Sequence, residues 1–130
     1  MHDHLLPCPC GNPLRLADCC GRWLAGPAHL QAPDAVALMR SRYSAFVLAR
    51  ADYLLATWHA STRPTQIDFE PGLRWLGLQV RLHRPVDAHH AIVEFVARSK
   101  RAGRAQRLQE ISRFVKEHGR WFYLDGQTPG

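Results

Sequence analysis

Trp75-Leu76-Gly77-Leu78-Gln79-Val80-Arg81-Leu82 is the stretch at which the hydrophobic period of the chain changes. Leu76, Leu78, Val80 and Leu82 alternate with Trp75, Gly77, Gln79 and Arg81, the period of two that sets successive side chains on opposite faces of a strand. The alternation returns twice downstream. Val93, Phe95 and Ala97 alternate with Ile92, Glu94 and Val96, and Ile111, Arg113 and Val115 alternate with Glu110, Ser112 and Phe114. Trp121 to Asp125 makes a fourth strand. Turn signals at Pro85 to His89, Ala102-Gly103 and His118-Gly119 are short enough for hairpins, so the sheet is expected to be an antiparallel meander.

Upstream of that stretch the period is helical. Asp34 has the chemistry and position of an N-cap, and Val36, Met39, Tyr43, Phe46 and Val47 recur on one stripe of an amphipathic helix. Asp52 is able to cap a second, shorter helix expected through Tyr53, Leu54, Thr57 and Trp58, ending near His59. Ser61 to Gly72 reads as loop, with room for one turn at Ile67 to Glu70. Helices followed by a meander predict an α+β domain, a long helix packed on a curved four-stranded antiparallel sheet.

At 130 residues, 46% apolar and 22% charged, the chain has the make-up of one ordinary domain plus a small appendage. No apolar run reaches the length needed to cross a bilayer. The net charge of +6 permits an anionic partner without requiring one.

The appendage is Cys8-Pro9-Cys10-Gly11-Asn12-Pro13-Leu14-Arg15-Leu16-Ala17-Asp18-Cys19-Cys20, which holds all four cysteines. Two pairs of thiols converge on one tetrahedral metal if the chain between them doubles back, and four thiolates suit a structural zinc ion. Gly11 supplies the positive φ such a wrap needs, and Leu14 to Asp18 is long enough for one helical turn. The alternatives are disulfides or unrelated buried thiols. A bond between the neighbours Cys19 and Cys20 is strained, and no apolar leader directs the chain to an oxidising compartment. Zinc and a cytoplasmic location are therefore expected. His2 and His4 are not needed as ligands, and the tail before the cysteines is expected to be disordered. Residues 1–26 are assigned to the knuckle with its connector and 27–130 to the α+β cone, with Trp23 joining the two.

A curved sheet over a helix leaves room for a cavity, and the candidate pocket residues are Arg40, Tyr43, Trp58, His59, Glu94, Glu110 and Ser112. Glu94 and Glu110 share a face with Ser112 only in one hairpin register; a one-residue slip separates them. Their plainer reading is pairing with nearby arginines. Arg40 and Tyr43, three apart, share a helix face, where Arg40 either bonds a buried carboxylate such as Glu94 or awaits an anionic ligand. His59, at a helix end, is a general base or a polar cap. Arg98, Lys100, Arg101, Arg104 and Arg107 surround the Gly103 turn and are candidates for contact with a phosphate backbone, the competing role being to keep a sheet end soluble.

The Cys8-x-Cys10-Gly11 and Cys19-Cys20 pattern resembles the SEC-C motif, a small zinc module first noted at the C-terminus of the SecA motor. Met39-Arg40-Ser41-Arg42-Tyr43-Ser44-Ala45-Phe46, Ala51-Asp52-Tyr53-Leu54, Thr57-Trp58-His59, Trp75-Leu76-Gly77-Leu78, Ser112-Arg113-Phe114 and Trp121-Phe122-Tyr123-Leu124-Asp125-Gly126 resemble blocks of the YchJ-like family in the same order. The resemblance implies zinc ligation by Cys8, Cys10, Cys19 and Cys20 and a nuclear transport factor 2-like cone. It implies a fold and a metal, not an activity. The favoured expectation is a non-enzymatic zinc-binding adaptor that contacts protein or nucleic acid through the knuckle. The alternative is a small-molecule-binding or enzymatic cone-pocket protein with zinc only structural. A zinc closed off by four cysteines has no open position for chemistry, and no nucleophile and base stand at a recognisable spacing, so no catalytic residue is assigned.

Overall fold

The computed structural model describes residues 6–129, so His2 and His4 lie outside the described residues. A 3-10 turn at Leu16–Asp18 precedes α1 (Gly21–Leu24), α2 (Ala35–Val47) and α3 (Ala51–Ala56). The sheet follows as β1 (Arg74–Asp87), β2 (His90–Arg101), β3 (Arg104–Glu117) and β4 (Arg120–Gln127). Its strand order is β1-β2-β3-β4, every pair antiparallel, as the meander reading requires.

Local chemistry sets the boundaries. The Asp34 carboxylate accepts the Ala37 N–H at 2.7 Å and starts α2. At the other end Ala49 takes a φ of 56°, and the Arg50 N–H reaches the Ala45 carbonyl at 2.8 Å, closing the helix so that α3 can begin at once. The Ala102-Gly103 turn, with φ of 52° and 79°, joins Arg101 and Arg104 in a two-residue hairpin whose twist matches the strands.

The inward faces of β2 and β3 are as the alternation predicts: Val93, Phe95 and Ala97 are buried, as are Ser112 and Phe114. In β1 the alternation misleads. Register shifts between Trp75 and Gly77 and between Val80 and Leu82 insert bulged residues, so Trp75, Leu78 and Val80 pack on the core while Leu76 and Leu82 stay exposed. Ile67 and Phe69 pack against the core without forming the turn expected there. One cluster of buried residues runs from Cys8 through Leu38, Tyr43 and Leu54 to Phe114, so the cysteine loop shares its core with the sheet. Trp23 packs half-buried on that cluster, beside the deeper Leu24. Beyond α3 the chain runs along β4: Tyr123 N–H donates to the Thr57 carbonyl and His59 N–H to the Tyr123 carbonyl, both at 2.8 Å, which covers that sheet edge.

Candidate functional site

Two arrangements of chemistry-bearing side chains lie on different faces of α2. The first is the cysteine loop. Gly11, at a φ of 94°, lets the chain fold back, and the turn at Leu16–Asp18 returns the second pair of thiols to the first. The four sulfur atoms lie within 4.8 Å of one another, all four residues are buried, and all four are free thiols. Tetrahedral thiolates on a metal at about 2.3 Å stand about 3.8 Å apart, close to the 3.6 Å between the Cys10 and Cys19 sulfurs. The donor set thus fits a soft tetrahedral cation. Hydrogen bonds with Cys10 and Cys8, together with burial, push the Cys20 thiol well above its ordinary range, so full ionisation of the cluster calls for a cation. The outer contacts hold the loop in place. Asn12 Nδ2 donates to the Cys19 sulfur at 3.5 Å, Arg22 Nε to the Cys19 carbonyl at 2.9 Å, and Arg40 Nη1 to the Cys10 carbonyl at 3.0 Å. The Ser44 hydroxyl stands 3.6 Å from the Cys8 sulfur.

The second is a cavity of about 240 Å³ between α2 and the inner face of the sheet. Its wall is mostly aromatic: Tyr43, Phe46, Trp58, Trp75, Phe95, Phe114 and Tyr123, with Met39, Ala97 and Leu108 between them. Three polar groups enter that wall. Arg42, 6% exposed, donates through Nη1 to the Leu54 carbonyl at 2.8 Å and to the Thr57 hydroxyl at 2.7 Å. Its guanidinium lies 4.9 Å from the Trp58 ring centre and 4.6 Å from that of Tyr123. Burial lowers its pKa to about 10, which leaves it charged at neutral pH. Glu110 Oε2 accepts from Ser112 Oγ at 2.7 Å and from Tyr123 Oη at 3.2 Å. Opposite Ser112 stands Gly126, and a Cβ there would fall 2.1 Å from Glu110 Oε2, so this glycine makes the room that the carboxylate occupies.

Of the sequence-predicted pocket residues, Tyr43, Trp58, Glu110 and Ser112 line this cavity. Glu94, Arg40 and His59 do not. The two-residue hairpin pairs Glu110 with Phe95 and Glu94 with Ile111, which puts Glu94 on the outer face, where it accepts from Gln109 Nε2 at 2.6 Å. Arg40 therefore has no buried Glu94 to meet and braces the cysteine loop instead. His59 is held outside by Ser61 Oγ at 2.7 Å and Glu117 Oε2 at 2.9 Å. Sequence reasoning singles out Arg42 beside Arg40 and Tyr43 but assigns only the latter two to the pocket, whereas of the two arginines it is Arg42 that lines it. Met39, Arg42, Tyr43 and Phe46 follow i, i+3, i+4, i+7 spacing, so a charge stood on the apolar stripe itself. Arg98, Lys100, Arg101, Arg104 and Arg107 are all exposed, with Arg101 paired to Glu70 at 3.3 Å and Arg107 donating to Gln109 at 3.2 Å.

Residues 34–126 match the family model described as the middle NTF2-like domain of YchJ. A UPF0225 protein of Polaromonas sp. (strain JS666 / ATCC BAA-500) is 63% identical, the match covering 95% of this chain and 96% of that protein. A UPF0225 protein of Bordetella pertussis is 60% identical, with 92% and 90% covered. The solution structure of a SEC-C motif containing protein from Rhodopseudomonas palustris superposes with a TM-score of 0.81 at 32% identity, covering 96% of this chain and 100% of that one. A crystal structure of a SEC-C motif containing protein from Psychrobacter arcticus gives 0.80 at 31%, with 100% and 86% covered. Through a cysteine loop of the SEC-C type, an NTF2-like cone and relatives alike over nearly their whole length, the chain belongs to the YchJ-like, UPF0225 family.

Proposed function

We propose that the protein binds a small molecule in the cone cavity and that the four cysteines hold a zinc ion whose task is structural. The observation that carries this reading is Arg42: a guanidinium buried against aromatic rings, in a chamber with open space, and with no carboxylate within ion-pair distance among the described residues. Burying an unpaired charge costs several kcal/mol, on the order of what a single well-packed core side chain contributes, and such a group is retained where a ligand completes it. Zinc is the metal that four thiolates in a closed tetrahedral set suit best, and reduced thiols accord with a cytoplasmic setting. No helix of the described residues is long and apolar enough to cross a membrane.

The test has two arms. Native mass spectrometry of protein purified without added metal is expected to find one zinc per chain. A ligand-observed NMR screen of small aromatic molecules is expected to find saturable binding that Ala97→Leu, which narrows the cavity, abolishes. A folded protein that binds none of them ends the ligand reading, and a metal-free protein with four alkylatable thiols ends the zinc reading.

A second reading, the adaptor that contacts nucleic acid or protein, draws on the β2–β3 hairpin and the loop. Arg98 faces Arg107 and Arg101 faces Arg104 across the strands, like charges that an anion would relieve, Arg101 being already paired to Glu70. Leu6 and Leu14 stand exposed on the cysteine loop. Salt-dependent binding to single-stranded RNA, lost on Arg98→Ala with Arg107→Ala, is the outcome this reading requires.

A further inference from the structure

The hydrogen bonds of Arg42 occupy only one corner of its guanidinium. Nη1 serves the Leu54 carbonyl and the Thr57 hydroxyl, whereas Nε and Nη2 have no hydrogen-bond partner among the described residues. Both atoms keep some accessible surface, unlike the sealed Trp58 Nε1 and Arg120 Nε, and Arg42 is part of the cavity wall, so the Nε/Nη2 edge is the part of the guanidinium left for a ligand there. That edge has a defined chemistry. Its two N–H groups point in parallel, the fork that a planar carboxylate meets with both oxygens. The Nη1 bonds and the Trp58 and Tyr123 rings fix the plane of the fork in advance, so little side-chain freedom remains to be lost on binding.

The rest of the chamber limits what can be attached to the carboxylate. At about 240 Å³ it lies just under the range of drug-sized ligand sites, which leaves room for one ring and a short stem. The aromatic walls favour a flat apolar body. Glu110 adds a fixed carboxylate, anchored by the Ser112 and Tyr123 hydroxyls, whose charge already reaches Arg42, so any negative charge on a ligand beyond the one that Arg42 takes up is opposed by it. Phosphate esters and dicarboxylates are disfavoured on that ground.

We infer that the cavity takes a small monocarboxylic acid with a flat apolar body, its carboxylate seated on the open Nε/Nη2 edge of Arg42 and its ring among Phe46, Trp75 and Phe95. This rests on the cavity reading proposed above and adds to it the ligand class and the recognising atoms.

The experiment is calorimetric or NMR titration of the zinc-loaded full chain with benzoate, phenylacetate and 3-phenylpropanoate, each set beside its neutral carboxamide, and with phenyl phosphate. At least one carboxylate is expected to bind tenfold or more tighter than its amide and than phenyl phosphate. Arg42→Lys, which keeps the charge but lacks the fork, is expected to weaken that carboxylate at least tenfold and the amide by much less. Leu108→Trp, at a half-exposed position on the cavity wall, is expected to weaken acid and amide alike in a protein with unaltered circular dichroism. Equal affinity for acid and amide overturns the carboxylate assignment and leaves the cavity reading standing. No saturable binding of any compound to the folded protein overturns both.

Discussion

Helix α2 serves two sites that differ in one physical respect, whether their polar groups are used up. Toward the cysteine loop, Arg40 is spent on the Cys10 carbonyl and Ser44 stands against the Cys8 sulfur, and the four sulfurs converge on one another in a buried, closed set. Toward the sheet, Met39, Arg42, Tyr43 and Phe46 wall a space in which a guanidinium keeps unspent donors. A closed set of groups can contribute only stability. Unspent hydrogen-bonding capacity on a largely buried group costs stability and is the means by which a ligand binds.

The comparison breaks first at the closed side. Cys20→Ser removes one of the four convergent sulfurs, and because the proposed structural zinc would supply folding free energy directly, the expected loss exceeds about 4 kcal/mol in denaturant unfolding. Hydrogen exchange should quicken in the loop and in the turn of α2 around Arg40 and Ser44, with the sheet least affected. An unchanged midpoint would mean that the sulfurs form an ordinary buried cluster.

Tyr53, on α3 with its hydroxyl against Ser41 of α2, sharpens the comparison through pH. Burial pushes its pKa up to about 12, against the lesser opposing effect of the Ser41 hydroxyl 2.7 Å away. The folded state therefore holds this proton more tightly than the unfolded chain. Its contribution is fully present below pH about 10 and is lost as pH rises through about 12, on the order of 2 to 3 kcal/mol. Tyr53→Phe, whose ring cannot ionise, should flatten the alkaline limb of a plot of melting temperature against pH.

The cavity's own polar set comes next. Ser112→Ala removes one of two hydroxyls that hold Glu110 and is expected to cost about 1 to 3 kcal/mol, the range for a buried bond to a charged group. Gly126→Ala is expected to cost a similar amount by a different route, since its methyl displaces the carboxylate itself. Thermal unfolding of both variants checks the size, and the shape of the cavity predicts that either one also alters ligand affinity.

How much of each side could be read in the sequence follows from how each is built. The cysteine loop is local: its four thiols lie within one short segment, so spacing alone brings them together, and the structure agrees. The strands and their hairpins were equally plain, because turn residues and alternation are local signals. The cavity draws on α2, all four strands and the segment after α3, and its membership depends on register. The two-residue turn at Ala102-Gly103 pairs Glu110 with Phe95, and that single register put Glu94 outside and left Arg40 without the partner expected for it. The bulges in β1 had the same effect on Leu76 and Leu82, since one inserted residue turns the following parity over. Arg42 was legible in principle, as a charge on the stripe of Met39, Tyr43 and Phe46.

The smallest effect is expected from Arg113, which neighbours Ser112 on β3 but points the other way. Its Nε donates to Asp125 Oδ1 at 2.7 Å, with side-chain exposures of 60% and 42%. Arg113 holds the Asp125 pKa below the usual carboxylate value. The pair's contribution is thus present above pH about 4 and lost as pH falls below it. Solvent and salt screen a pair this open, so Arg113→Ala should cost less than about 1 kcal/mol at neutral pH, and less again in high salt. Two adjacent residues on one strand then give a direct measure of inside against outside. If Arg113→Ala costs as much as Ser112→Ala, the inner network around Glu110 is no more buried than the surface, and the cavity has no dry interior in which Arg42 could act on a ligand.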